Sequence, residues 1–123
     1  MVTLEHKPMA TLEHNGHFDA SHRLPGFGKC EALHGHTYRV KVRVGGDIGP
    51  LGVVMDFGDI KAAYQALDHC NLNEIIAPPT AETIAIHILD TLVHKANSLD
   101  NEIYWMRVYL WEGVNNSVEV EWP

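Results

Sequence analysis

Residues 30–36 read CEALHGH, a thiol and a carboxylate followed by two imidazoles with one glycine between them. On a strand, residues i and i+2 point to the same face roughly 7 Å apart, so His34 and His36 could converge on one ion across Gly35. An H-x-H pair by itself equally describes two surface or hydrogen-bonded histidines. His22 alters that balance, because it falls on the inward face of the preceding strand and offers a third nitrogen. Three imidazoles with no fourth protein ligand describe the open, catalytic kind of zinc site. His6, His14, His17, His87 and His94 have no comparable spacing and read as ordinary surface or packed histidines.

Cys30 stands four residues before His34, near enough for a loop to bring its sulfur beside the open position. A thiol close to a divalent cation and to Lys29 has a lowered pKa, which makes it a usable base or nucleophile. Glu31 is the competing base, with a solvated loop acid as its plain alternative. In LDH at 67–69, Asp68 could orient or charge-stabilise His69 at a helix end, although adjacent Asp-His pairs are common. Glu112, in LWEG between Trp111 and Gly113, could take two N–H donors from the edge of a guanidine-like heterocycle, or serve only as a turn residue.

Composition bounds what these groups can be part of. The chain has 123 residues, 46% of them hydrophobic, enough for one packed domain spanning 1–123. A net charge of −7 argues against nucleic acid or an anionic membrane as the main partner. Locally the balance reverses: Arg23, Lys29, Arg39, Lys41 and Arg43 face the single acid Glu31, so a site there could attract an anionic small molecule. For Arg39, Lys41 and Arg43 the simpler reading is a solvated strand face. No run approaches the ~18 apolar residues of a membrane span, and the start lacks a signal-peptide pattern, so a cytosolic protein is expected. Cys30 and Cys70 are accordingly expected as free thiols. The TLEH at 3–6 and again at 11–14 is too short to make a repeat.

Periodicity supplies the elements that must position these residues. Residues 9–22 alternate as a strand, with Leu12, Phe18, Ala20 and His22 on one face. After the loop LPGFGK a second strand runs from His34 to about Val44, with His36, Tyr38, Val40, Val42 and Val44 on one side, and GGDIGPLG is expected to close it. Asp56 caps a helix with Ile60, Ala63, Tyr64 and Leu67 on its apolar stripe, ending near DHCNLN. Thr80 caps a second helix carrying Ile84, Ile88 and Leu92, which ends at 97–101. Strands at 103–111 and 117–122 close the chain around the turn EGVNN. The order is ββααββ, an α+β domain with an antiparallel sheet and both helices on one face. Its exposed sheet edges predict oligomerisation by sheet extension.

In this order FDASHRLPGFGKCEALHGHTYRVKV, GVVMDFGDIK, LDHCNLNE, PPTAETIA and LWEG resemble the 6-pyruvoyl-tetrahydropterin synthase and 6-carboxy-tetrahydropterin synthase family, over about residues 17–120. The resemblance implies the tunnelling fold, a trimeric barrel of subunits in which two trimers usually stack, and 7,8-dihydroneopterin triphosphate as substrate. It implies that His22, His34 and His36 hold zinc and that Cys30 moves protons at the side-chain carbons. Asp68 with His69, from a neighbouring subunit, would serve as the other acid/base group. Glu112 would anchor the pterin ring, with Thr80 and Glu82 as further candidates, and Arg23 and Lys29 would meet the triphosphate. Cysteine at the fourth position before H-G-H resembles the bacterial carboxy-tetrahydropterin enzymes of queuosine synthesis. Glutamate at the third resembles a subgroup that cleaves the side chain to 6-hydroxymethyl-dihydropterin for folate. This chain has both, Cys30 and Glu31, so the expected product is 6-carboxy-tetrahydropterin, with the hydroxymethyl product or both as the alternative. A pyruvoyl product fits less well, as does a zinc hydrolase using Glu31. A catalytically silent pterin-binding member of the fold is the non-enzymatic alternative.

Overall fold

Alternating apolar side chains build the sheet that carries the site. The structure is a computed structural model and describes residues 1–4 and 8–123; His6 and the end of the first TLEH lie outside them. Strands β1 (Met9–His22) and β2 (His34–Asp47) pair antiparallel along their whole length, from Met9 opposite Asp47 to His22 opposite His34. Helix α1 (Phe57–Gln65), a two-residue strand β3 (Cys70–Asn71), helix α2 (Ala81–Ala96), β4 (Ile103–Glu112) and β5 (Asn116–Trp122) follow. The sheet order is β3-β1-β2-β4-β5, antiparallel except where β3 runs parallel to Ala20 and Ser21 of β1. The expected α+β architecture is therefore present.

The even-numbered residues of β1, β2 and β4 form the sheet's buried face. Phe18, Tyr38, Val42, Val44, Met106, Val108 and Leu110 are fully buried there, against Ile60 and Tyr64 of α1 and Ile84, Ile88 and Leu92 of α2. Both helices start where a side chain takes up an orphan backbone donor. Asp56 accepts from the Gly58 N–H at 2.6 Å and Thr80 from the Thr83 N–H at 3.1 Å.

Three details differ from the sequence expectation. Gly45 and Gly46 continue β2 rather than ending it. A Cβ at Gly45 would stand 2.2 Å from the Trp105 Nε1, and one at Gly46 would stand 2.6 Å from the Glu102 carbonyl, so these glycines admit close neighbours instead of making a turn. The pairing with β4 shifts register between them. Strand β3 is too short to show any alternation and had no sequence signal. On the outer face, Arg39, Lys41 and Arg43 are not simply solvated: they lie over Trp111, Tyr109 and Trp105 at 5.1, 4.8 and 5.7 Å from the ring centres. No helix among the described residues is long and apolar enough to cross a membrane.

Because backbone cannot move away from a methyl at position 46, Gly46→Ala is expected to destabilise the fold by roughly 1–3 kcal/mol, read as a lower urea midpoint with unchanged slope.

Candidate functional site

Full-length pairing of β1 with β2 sets His22 directly opposite His34, and Ala20 opposite His36. The three rings meet edge to face, their centres 4.6 to 5.1 Å apart, and one ring nitrogen of each lies within 4.8 Å of the others. Backbone carbonyls decide which nitrogen is presented. A carbonyl oxygen only accepts, so the His22 Nδ1–H donates to the Pro79 carbonyl at 2.8 Å, and the His34 Nδ1–H to the Ala32 carbonyl at 2.7 Å. Each ring keeps its Nε2 lone pair for another partner. His22 is completely buried, and the Nε2 atoms of His22 and His36 are buried without a hydrogen bond. Desolvation lowers the His36 pKa from its ordinary value; Glu112 opposes the shift and the neighbouring His22 and His34 assist it, leaving the neutral form a metal requires. The orphaned Nε2 atoms of His22 and His36, the carbonyl-set tautomers of His22 and His34 and the convergence of all three rings fit a divalent cation held by His22, His34 and His36.

The residues around this cluster divide into several groups. Cys30 and Glu31 lie in one turn of 3₁₀ helix, Gly28–Glu31, with Cys30 half-buried and its thiol free. The Glu31 carboxylate accepts from the Gly26 N–H at 3.1 Å, and Arg23 Nε donates to the Glu31 carbonyl at 3.1 Å. Both side chains thus close the 24–31 loop. Lys29 is exposed. Glu112 Oε1 approaches His36 Nε2 to 3.1 Å without hydrogen-bond alignment and stands 4.0 Å from His22 Nε2, so this carboxylate borders the histidine cluster directly. Burial pushes the nearby Tyr38 phenol well up, with Glu112 adding to the shift, and its hydroxyl lies 3.3 Å from His22 Nδ1. The Thr80 hydroxyl belongs to the cap of α2, and Glu82 is exposed in the first turn.

Asp68 and His69 are held from a residue that sequence reasoning passed over. The Asp19 N–H donates to Asp68 Oδ1 at 2.9 Å, its carbonyl accepts from the His69 N–H at 2.6 Å, and its carboxylate accepts from the Thr37 hydroxyl at 2.6 Å. Gln65 Nε2 donates to the other Asp68 oxygen at 3.1 Å, and His69 Nε2 stands 3.6 Å from that oxygen. His69 has φ +58°, the left-handed region that non-glycine residues rarely occupy. An open cavity of about 620 Å³ has Asp19, Gly35, His36, His69 and Cys70 in its wall, so His69 and His36 line one hollow. Asp19 left only an odd-face acid on a strand as its signal, since its main contacts are made by backbone atoms. His14 is packed rather than catalytic in placement, with Nε2 2.7 Å from the Tyr64 hydroxyl, and desolvation ahead of Lys61 lowers its pKa.

Comparison with known proteins agrees with this geometry. The 6-pyruvoyl tetrahydropterin synthase family model matches residues 11–122, and the chain belongs to that family. A Pyrococcus furiosus protein named dihydroneopterin monophosphate aldolase is 38% identical over 117 residues, covering 92% of this chain and 98% of the relative. An Archaeoglobus fulgidus protein provisionally named 6-carboxy-5,6,7,8-tetrahydropterin synthase is 36% identical over 101 residues, 74% of this chain and 88% of the relative. The Caenorhabditis elegans 6-pyruvoyl tetrahydropterin synthase structure superimposes with a TM-score of 0.72 at 26% identity, covering 98% of this chain and all of that one. Family members are pterin-processing enzymes acting on small pterin substrates.

Left-handed backbone costs a non-glycine residue on the order of 1–2 kcal/mol, so His69→Gly is expected to melt at or above the wild-type temperature even though it removes the imidazole.

Proposed function

We propose that this chain is a zinc-dependent lyase converting 7,8-dihydroneopterin triphosphate to 6-carboxy-5,6,7,8-tetrahydropterin, acetaldehyde and triphosphate, the step that feeds deazapurine (queuosine-type) synthesis. The observation that carries this reading is the convergence of three imidazoles, with the tautomers of His22 and His34 set by backbone carbonyls and the Nε2 atoms of His22 and His36 orphaned, beside a loop that carries a free thiol at Cys30. Zinc held by His22, His34 and His36 would supply Lewis acidity, lowering the pKa of the substrate's side-chain hydroxyls. Cys30 transfers the proton at the side-chain carbons. Asp68, one of whose oxygens stands 3.6 Å from His69 Nε2, charge-stabilises His69 as the second acid/base group, supplied to the site by a neighbouring subunit. Glu112 binds the N–H edge of the pterin ring through charge-assisted hydrogen bonds, and its closeness to His36 sets the ring beside the metal. Thr80 and Glu82 at the start of α2 are further pterin contacts, while Arg23 and Lys29 offer positive charge to the triphosphate.

The engagement of Glu31 with Gly26 favours Cys30 over Glu31 as the acid/base group, and hence the carboxy product. A second reading, cleavage to 6-hydroxymethyl-7,8-dihydropterin for folate synthesis, is favoured by the nearly full-length similarity to the aldolase of Pyrococcus furiosus. In that reaction Glu31 takes the proton role.

The assembly is a homo-oligomer, a trimer or dimer of trimers. The edge of β1 before Ala20 and the outer edge of β5 carry no neighbouring strand within the described chain, which accords with closure by sheet extension. Such pairing would bring Asp68 and His69, at the β1 edge, against a neighbouring subunit's site. The free thiols suit a cytosolic location.

Incubation with zinc and either the triphosphate or dihydroneopterin monophosphate, followed by product mass, tests these readings. We expect 6-carboxy-tetrahydropterin with acetaldehyde from the wild type, its loss in Cys30→Ala, and a selective fall of any hydroxymethyl product in Glu31→Ala. Full carboxy activity in Cys30→Ala would refute the role given to the thiol. Chelation is expected to silence both reactions, and activity that survives metal removal would refute zinc dependence.

A further inference from the structure

The start of α2 has more hydroxyl contacts than a helix cap requires. Thr80 and Thr83 form a reciprocal pair: the Thr83 N–H donates to the Thr80 hydroxyl at 3.1 Å, and the Thr80 N–H donates to the Thr83 hydroxyl at 2.9 Å. The Thr83 hydroxyl proton is then left for a carbonyl, and Pro78 at 2.5 Å is nearer than Thr80 at 3.1 Å. One side chain therefore grips the chain on both sides of Pro79. The Thr80 N–H and the Pro79 carbonyl belong to the same planar peptide group, so fixing one fixes the direction of the other. That carbonyl accepts the Nδ1–H of His22 at 2.8 Å. A continuous line runs from the Thr83 hydroxyl through one rigid peptide to a buried imidazole whose far nitrogen has no hydrogen-bond partner. Bonds arranged in series polarise one another, so the peptide also makes His22 the stronger donor of its lone pair.

We propose that Thr83 is a positioning residue for the metal centre, holding the Pro79–Thr80 peptide so that His22 keeps its Nδ1–H tautomer and directs Nε2 at the ion. This rests on the reading that His22, His34 and His36 bind a divalent cation. His22 is the ligand most in need of such help, because it comes from a different strand than His34 and His36. Its ring is oriented from outside the sheet, by the helix.

The test uses the full-length protein, zinc alone as probe, and competition against a chromophoric chelator. Thr83→Val removes both the hydroxyl acceptor and its proton and is expected to weaken zinc binding on the order of 10-fold. Thr83→Ser retains both and should bind like the wild type. Asp56→Ala, which removes the cap of α1 away from the site, is the control for general loss of stability and should bind zinc normally. In the metal-free protein, nitrogen-15 NMR should report the Nδ1–H tautomer of His22 in the wild type and Thr83→Ser, and a mixture in Thr83→Val. Wild-type zinc affinity together with an unaltered His22 tautomer in Thr83→Val would overturn the proposal, as would equal weakening by Asp56→Ala. If zinc binding proved absent, or indifferent to His22→Ala, the metal reading would fail, while the tautomer in Thr83→Val would still decide the positioning role.

Discussion

Register between β1 and β2 is the constraint on which the site depends. His22 and His34 face each other only if the two strands pair without slip, and they do so over fourteen pairs beginning at Met9 and Asp47. A slip of one residue would send every side chain of β1 to the other face, exposing Phe18 and Ala20 and carrying His22 away from its partners. The same apolar stripe that buries against α1 and α2 therefore sets the geometry of three imidazoles at its end. Core packing and site geometry are one alternation, read at opposite ends of a strand pair.

At that end the fold accepts a cost. Buried polar groups without a partner typically cost ~1–3 kcal/mol each, yet the Nε2 atoms of His22 and His36 lack one. The Nδ1 atoms of His22 and His34, by contrast, are each paired with a backbone carbonyl. Pro79 reaches His22 from the start of α2, and Ala32 reaches His34 from the loop that carries Cys30 and Glu31. The two carbonyls that orient imidazoles thus come from the two segments that the proposed chemistry also uses. Asp19 does similar work at the cavity's other wall, where three of its atoms hold the Asp68–His69 corner and the neighbouring β2. Local strain at His69 persists because that corner is tied on both sides.

Much of this was legible in the sequence because it rests on periodicity and caps. The limits of β1, the caps at Asp56 and Thr80, and the inward set His36, Tyr38, Val40, Val42 and Val44 all follow from spacing and residue type. The histidine trio followed from parity plus antiparallel pairing. What escaped was whatever depends on a neighbour distant in the chain. Gly45 and Gly46 look like turn residues until Trp105 and the Glu102 carbonyl are set against them. Strand β3 is two residues defined only by β1. The basic strip of β2 looked solvated because its aromatic partners lie on β4. Asp19 and the Pro79 carbonyl act through backbone atoms, which residue identity does not disclose.

The central claim is that three histidines hold the metal while Cys30 remains outside its coordination shell as the proton-transfer group. X-ray absorption at the zinc edge of the loaded protein tests it most directly. The account expects a first shell of nitrogen and oxygen scatterers only, at about 2.0–2.1 Å, with the outer-shell pattern of three imidazoles. A sulfur scatterer at about 2.3 Å would make Cys30 a ligand and contradict the division between metal binding and proton transfer.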